Sequence, residues 1–278
     1  MTYKDVLAPV IALDEDEPAL AAAAEIAAKF EAHATALIIA VHLASEFEPK
    51  PRALSEVLAD ITAGSQSHAA LLAQGLRAWI ARAPYPFETR EATIEDAVRY
   101  DHILAHARVS DLVVLAQSSG HDRARRALAE DILLRSGRPL LLVPAGKPKA
   151  RKWSRVAIGW DAKATAVRAI SAAMPLLRSA EHVSVVTVDA KPSGAGHAPA
   201  PGHDLALHLA RHGVHVDVRN VASGGHSDSK ALLEEAVAVD ADVLVLGAYG
   251  HARAQEFVFG GVTRDLLATS PLPLLMMH

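Results

Sequence analysis

DVLVLGAYGHARAQEFVFGGVTRDLLATSPLPLLMMH, residues 242–278, is the stretch on which the fold turns. The strand-like stretch DVLVLG at 242–247, with an unbroken aliphatic run at 243–246, meets a glycine-rich loop. The loop runs into a segment of helical period at 262–269, and a second aliphatic run, PLLMM at 273–277, closes the unit. A strand that is aliphatic throughout, rather than alternating with polar residues, is one buried on both faces. Followed by a helix and another such strand, it marks a parallel sheet covered by helices on both sides.

Working outward, the same pattern occurs earlier. DLVVLAQSSG (111–120) matches DVLVLGAYG (242–250), and DILLRSGRPLLL (131–142) matches DLLATSPLPLLM (265–276). Asp111 pairs with Asp242 at an offset of 131 residues and Asp131 with Asp265 at 134, so one loop is three residues longer in the second copy. Self-similarity of this kind indicates a duplicated unit. In the first half, strands are expected at 5–10, 35–43, 87–92, 111–116 and 139–144, with helices at 17–31, 55–82, 95–108 and 123–135. In the second half, strands are expected at 155–160, 183–188, 215–221, 242–247 and 273–277. Its helices are expected at 163–178, with a kink at Pro175, and at 204–212, 229–239 and 262–269. The expected fold class is α/β: two tandem doubly wound five-stranded parallel-sheet domains packed as a pseudo-twofold pair. On this reading a single continuous sheet, or halves out of contact, would count against duplication. The domains are 1–146 and 153–278, joined by a linker at 147–152 inside the cationic stretch GKPKARK.

Composition narrows the chemistry. Of 278 residues, 51% are hydrophobic and only 22% charged, which describes globular aliphatic cores rather than disorder. With no cysteine, disulfides, thiolate metal sites and cysteine nucleophiles are excluded, as suits a reducing compartment. The opening MTYKDVLAPVIAL lacks the pattern of a secretory signal, and no apolar run reaches membrane-spanning length, so a cytoplasmic protein without a membrane partner is expected. A formal charge of −4 argues against a broad nucleic-acid surface. Phosphate binding would have to be local.

The loop supplies such a place. Gly247, Gly250 and Gly260 follow the spacing glycine, two residues, glycine, nine residues, glycine. A loop that wraps a phosphate brings its backbone N–H groups close, and side chains would block the approach. The helix that follows presents unpaired N–H groups and the positive end of its dipole. His251 and Arg253 add donors, and Thr263 adds a hydroxyl. The spacing is neither the dinucleotide fingerprint nor the Walker phosphate loop. Other candidates are poorer. His208 and His212 share a helix face with His203 and His215 nearby, but no acid completes a zinc set. Glu234 and Glu235 are adjacent on a helix and diverge, and LAQSSGH around Ser118 and Ser119 is not a hydrolase elbow. KPSGAGHAPAPG (191–202) reads as a loop beside the pocket, either closing over ligand or simply connecting. HDRARR (121–126) reads as a solvated helix start, with a different ligand bound by the first domain as the alternative.

The glycine spacing and the SGRPLLLVP and SPLPLLMMH endings resemble the universal stress protein family, with its signature G-2x-G-9x-G-[S/T], as a tandem member. The resemblance covers nearly the whole chain and implies the adenine nucleotide alpha hydrolase-like fold, with PLLLVP and PLLMM as contact edges between halves. It also implies an adenine nucleotide (ATP, ADP or AMP, with Mg) in the second domain. Gly247, Gly250 and Gly260 would cradle phosphates, and Asp161 would lie near the nucleoside and the nucleotide-bound metal. Val188 would contact adenine through the main chain, with His251, Arg253, Gly261, Val262 and Thr263 completing the loop. Gly261 departs from the signature, standing where a Ser or Thr belongs. The first copy has lost the site: Ala116 and Ser119 replace two glycines, Arg126 and Ala127 stand where Gly260 and Gly261 do, and Ile11 aligns with Asp161. The expected function is a nucleotide-responsive stress or regulatory protein, read by a protein partner, with homodimerisation through outer surfaces also expected. A slow ATPase or related nucleotide-processing enzyme, and a structural dimerisation module, stand as alternatives. Nothing in the sequence supplies a base or nucleophile beside the loop.

Overall fold

The computed structural model describes residues 2–41, 69–94, 100–117, 123–192, 200–249 and 261–278. In the first half β1 (Asp5–Val10) leads to α1 (Leu13–Phe30) and β2 (His33–Val41). A helix α2, described over 69–80, precedes β3 (Glu88–Ile94), α3 (Asp101–Arg108) and β4 (Leu112–Ala116). Then α4 (Arg123–Asp131) widens into a π-helical turn, Ile132–Ser136, before β5 (Leu140–Val143). The second half repeats the order: β6 (Arg155–Gly159), α5 (Ala164–Ser179), β7 (His182–Val188), α6 (His203–Arg211) and β8 (Val216–Val221). It ends with α7 (Asp228–Ala238), β9 (Val243–Gly247), α8 (Gly261–Thr269) and β10 (Leu274–Met277).

All ten strands form one sheet, in the order β3-β2-β1-β4-β5-β10-β9-β6-β7-β8. This corrects the expectation of two separate sheets. Every pairing is parallel except β5 with β10, where Leu274 faces Leu142 and Met276 faces Leu140 in antiparallel register. The order on either side of that seam is the same, so a continuous sheet here accompanies duplication rather than excluding it. Each half leaves its last strand as an open edge, and an open edge of unpaired N–H and C=O groups is best satisfied by another strand. The two edges named by the sequence satisfy one another.

Strand side chains alternate between two helical layers, as a period of two requires. Val6, Ala8 and Val10 of β1 join one core cluster, with Leu76 of α2, Ile170 of α5 and Leu209 of α6. Leu7 faces the other way, into a cluster holding Leu104 of α3, Leu128 of α4 and Leu266 of α8. Both clusters run across the seam, and burying each such aliphatic side chain is worth ~1.5–3 kcal/mol. α5 passes through Pro175 as one helix, where a kink is expected from sequence.

Small polar devices repeat as well. The Asp111 carboxylate accepts the N–H groups of Lys4 and Asp5, and its counterpart Asp242 accepts those of Ser154 and Arg155. On one edge strand Glu88 is held between His33 (2.7 Å) and Arg90 (2.8 Å). On the other edge strand Asp217 is held between His182 (3.0 Å) and Arg219 (2.8 Å). Charged clusters on outer strands deter further strand addition. Between β5 and β6 the chain is docked rather than loose: Trp153 is buried, and its indole N–H donates to Glu25 of α1 at 2.8 Å.

Candidate functional site

In each half the strand order reverses beside its first strand, at β1/β4 and at β6/β9. Such reversals open a crevice at the carboxyl ends of the strands, the usual ligand position in open α/β sheets. In the second half three pieces of chain converge there: the turn after β6, the start of α5, and the end of β9. Gly247 explains how closely they meet. A Cβ at this position would lie 2.5 Å from the Ala166 nitrogen and 2.6 Å from the Thr165 carbonyl carbon. The missing side chain therefore lets the first turn of α5 sit against β9, with its N–H end at the crevice. Thr165, which sequence reasoning missed, is buried at the same contact.

Asp161 lies on the turn after β6 with half its side chain exposed (51%). One oxygen accepts the Lys163 N–H at 3.0 Å, and the other pairs with the Lys163 ammonium at 3.1 Å. Lys163 is a second missed residue; its spacing from Asp161 was the available signal. Val188 ends β7 half-buried, and the next residue, Asp189, accepts the Ser223 N–H at 3.2 Å. Hydrogen bonds from Ser223 hold the Asp189 carboxyl below the usual range. Ala162, Asp189 and Tyr249, one after each of β6, β7 and β9, all have φ near +50°, at 58°, 45° and 55°. Non-glycine residues in this region are uncommon and gather at ligand sites.

Thr263 is buried, and its hydroxyl accepts the Tyr249 N–H at 3.3 Å. It ties the end of β9 to the first turn of α8. The backbone of Gly261 and Val262 lies in that first turn. Gly250, His251, Arg253 and Gly260 lie outside the described residues, as do Ser118 and Ser119. Of the four histidines considered for zinc, the structure brings His208 and His212 together, with ring centroids 4.7 Å apart, whereas His215 meets His182 instead. Glu234 and Glu235 diverge: one pairs with Lys230, the other with Arg219.

The first half finishes the equivalent crevice differently. Asp16 in the first turn of α1 is fully buried (0%) and accepts the N–H groups of Ile11 and Ala12 at 2.7 and 3.0 Å. Its other oxygen accepts a hydrogen bond from Arg125, itself only 1% exposed, which also reaches Glu15 at 3.1 Å. This corrects the solvated reading of HDRARR at Arg125; Arg123 is exposed, and His121 and Asp122 lie outside the described residues. The guanidinium crosses from α4 to α1 over the carboxyl ends of β1 and β4. The halves also touch near both sites. Gln117, just after β4, donates to the Leu267 carbonyl at 3.1 Å. Burial, with a further contribution from Glu130 of the other half, pushes the Tyr249 hydroxyl up.

Fold and crevice together define a doubly wound α/β protein made of two halves of one kind. The universal stress protein family model matches residues 152–278, the second half of the chain. A universal stress protein from Archaeoglobus fulgidus DSM 4304 superposes with a TM-score of 0.65 at 14% identity, covering 99% of this chain and 96% of its own. A functionally unknown protein from Pseudomonas aeruginosa PAO1 gives 0.55 at 17% identity, covering 99% and 92%. These full-length matches show the same tandem architecture. No curated protein matches the chain. Among the described residues no helix is long and apolar enough to cross a membrane.

Proposed function

We propose that the second half binds an adenine nucleotide at the β6/β9 crevice and that the protein acts as a nucleotide-responsive regulator. The observation that carries this reading is the contrast at the two reversals. One crevice is filled by Arg125 and Asp16, while at the other the described residues set a half-exposed carboxylate, Asp161, beside the first turn of α5 packed closely on Gly247. Phosphates would sit against the N–H end of α5 and the loop after β9, with adenine toward the end of β7. Mg fits the residues present, since this ion is commonly held by one or two carboxylates together with substrate phosphates. Asp161 would be that carboxylate, with Lys163 turned from it toward phosphate. The ion would neutralise phosphate charge.

Phosphoryl transfer also needs a group that orients the attacking water or acceptor. Among the described residues of the crevice, Asp161 would be taken by the ion and Thr263 is engaged by Tyr249; on this reading bound nucleotide is read as a state by a partner rather than consumed. Calorimetric titration of the full chain with ATP, ADP and AMP, each with Mg, tests the proposal. One site per chain is expected, and two equivalent sites or none would overturn it. Turnover above ~1 s⁻¹, abolished by Asp161→Ala, would replace it with the ATPase reading.

A further inference from the structure

Beside the seam, along the outer side of α5, lies an open cleft of about 720 Å³ that none of Asp161, Val188, Gly247 or Thr263 lines. Its apolar surface comes from both halves: Tyr3 from the first, and Ile170, Met174, Pro175 and Met277 from the second. Tyr3 is fixed there by donating its hydroxyl to the Ala172 carbonyl of α5 at 2.9 Å. On the α5 and α6 side the basic lining is two arginines and two histidines. Arg168 and Arg178 come from α5, and His208 and His212 from α6. One carboxylate, Asp111, enters the cleft, but its Oδ2 is taken by the N–H groups of Lys4 and Asp5. Arg138, on the opposite wall, gives its guanidinium to the Arg108 carbonyl. Among the described residues neither Arg168 nor Arg178 has an ion-pair partner.

Arg168, Ser171, Pro175 and Arg178 follow the three- and four-residue spacing of a single helix stripe. The two guanidiniums therefore stand at opposite ends of the cleft, their Cα atoms ~15 Å apart at ~1.5 Å per residue. The volume lies inside the ~300–1,000 Å³ of small-molecule sites, which favour domain interfaces. A strip of apolar surface with unpaired cations at its ends suits an elongated molecule that covers the strip and presents a carboxylate to an arginine fork. We propose that this cleft is a second binding site, for an organic monoanion with an extended apolar body of about ten carbons.

Decanoate, titrated into the full chain below its micelle concentration, is the probe. Saturable binding at one site is expected, with a rise in melting temperature. At least one of Arg168→Glu and Arg178→Glu should weaken it by tenfold or more, and that one marks the end that holds the carboxylate. Ser171→Trp, which fills the cleft without changing charge, should abolish binding. All three positions are exposed, so the variants should melt like the parent in the absence of decanoate. Decylamine and inorganic phosphate should not saturate. Equal affinity in both charge reversals, binding that survives Ser171→Trp, or decylamine or phosphate binding as tightly as decanoate would each overturn the proposal, as would no saturable decanoate binding.

Discussion

Where β1 turns into α1, the first half buries Asp16 beneath the turn and folds Arg125 over it, whereas at the end of β6 the second half leaves Asp161 in solvent. Counted from the paired strands β1 and β6, Ile11 corresponds to Asp161 and Asp16 to Ala166. The acid has in effect moved from inside the turn to its rim. Inside, it anchors an arginine and closes the crevice; outside, it is available to a ligand. Position 116 is alanine where 247 is glycine, and only the glycine admits the α5 backbone at contact distance. Two copies of one fold can thus hold the same core while a handful of residues at the strand reversal decide where the acid sits.

Breaking the closed side should produce the largest effect. Arg125→Ala strands a buried carboxylate and should cost about 3–5 kcal/mol in urea unfolding. Replacing both partners, Arg125→Met with Asp16→Leu, should recover most of that loss. A cost under ~1 kcal/mol for Arg125→Ala would mean that the pair does not hold the first crevice shut. On the open side, Gly247→Val forces a side chain into α5 and should destabilise by about 1–3 kcal/mol while removing nucleotide binding. Gly250→Val should remove binding with little change in the melting temperature of the ligand-free protein, so the two variants separate a packing glycine from a ligand glycine. Equal binding by parent and Gly250→Val would take the loop out of the site.

A smaller effect is expected for Asp161→Ala. Stability should change by no more than ~0.5 kcal/mol, since the residue is exposed. Calorimetry should show nucleotide with Mg binding about tenfold more weakly, and an unchanged affinity would separate Asp161 from the metal. The smallest effect concerns the edge strands, where the halves agree. Hydrogen bonding from Arg90 and then His33 draws the Glu88 carboxyl down to about 2. Its contribution to stability is therefore complete above the ordinary carboxylate range and is lost as pH falls toward 2. Carbon-detected NMR titration should show this depression shrink in Arg90→Ala, with the His33 contribution remaining. An ordinary midpoint for Glu88 in the parent would show the edge clusters to be loose surface pairs.

The strands were legible because buried parallel strands are written in aliphatic runs, and β1, β4 and β9 start within one residue of where the sequence puts them. α1 begins at Leu13 rather than near Glu17 because Asp14, Glu15 and Asp16 suit the positive end of the helix and Asp16 caps the preceding turn. Arg125 was not legible. Its neighbours are charged, and the acid that buries it is 109 residues away. The His33–Glu88–Arg90 and His182–Asp217–Arg219 clusters were written as a histidine opening one strand and an acid-x-Arg in the next, but only pairing across strands brings them together. The pairing of Asp161 with Lys163 depends on the geometry of the turn after β6, which the sequence does not spell out.

The antiparallel seam also changes what dilution can do. Two separate chains joined by their last strands would part at low concentration, and each would meet any other copy at random. Here the partner is tethered through the segment between Val143 and Arg155, so the encounter is intramolecular and independent of protein concentration. A half that never has to pair with its own duplicate is free to diverge from it. That covalent guarantee lets one copy close its strand reversal with an internal ion pair while the other holds its acid at the rim of the turn.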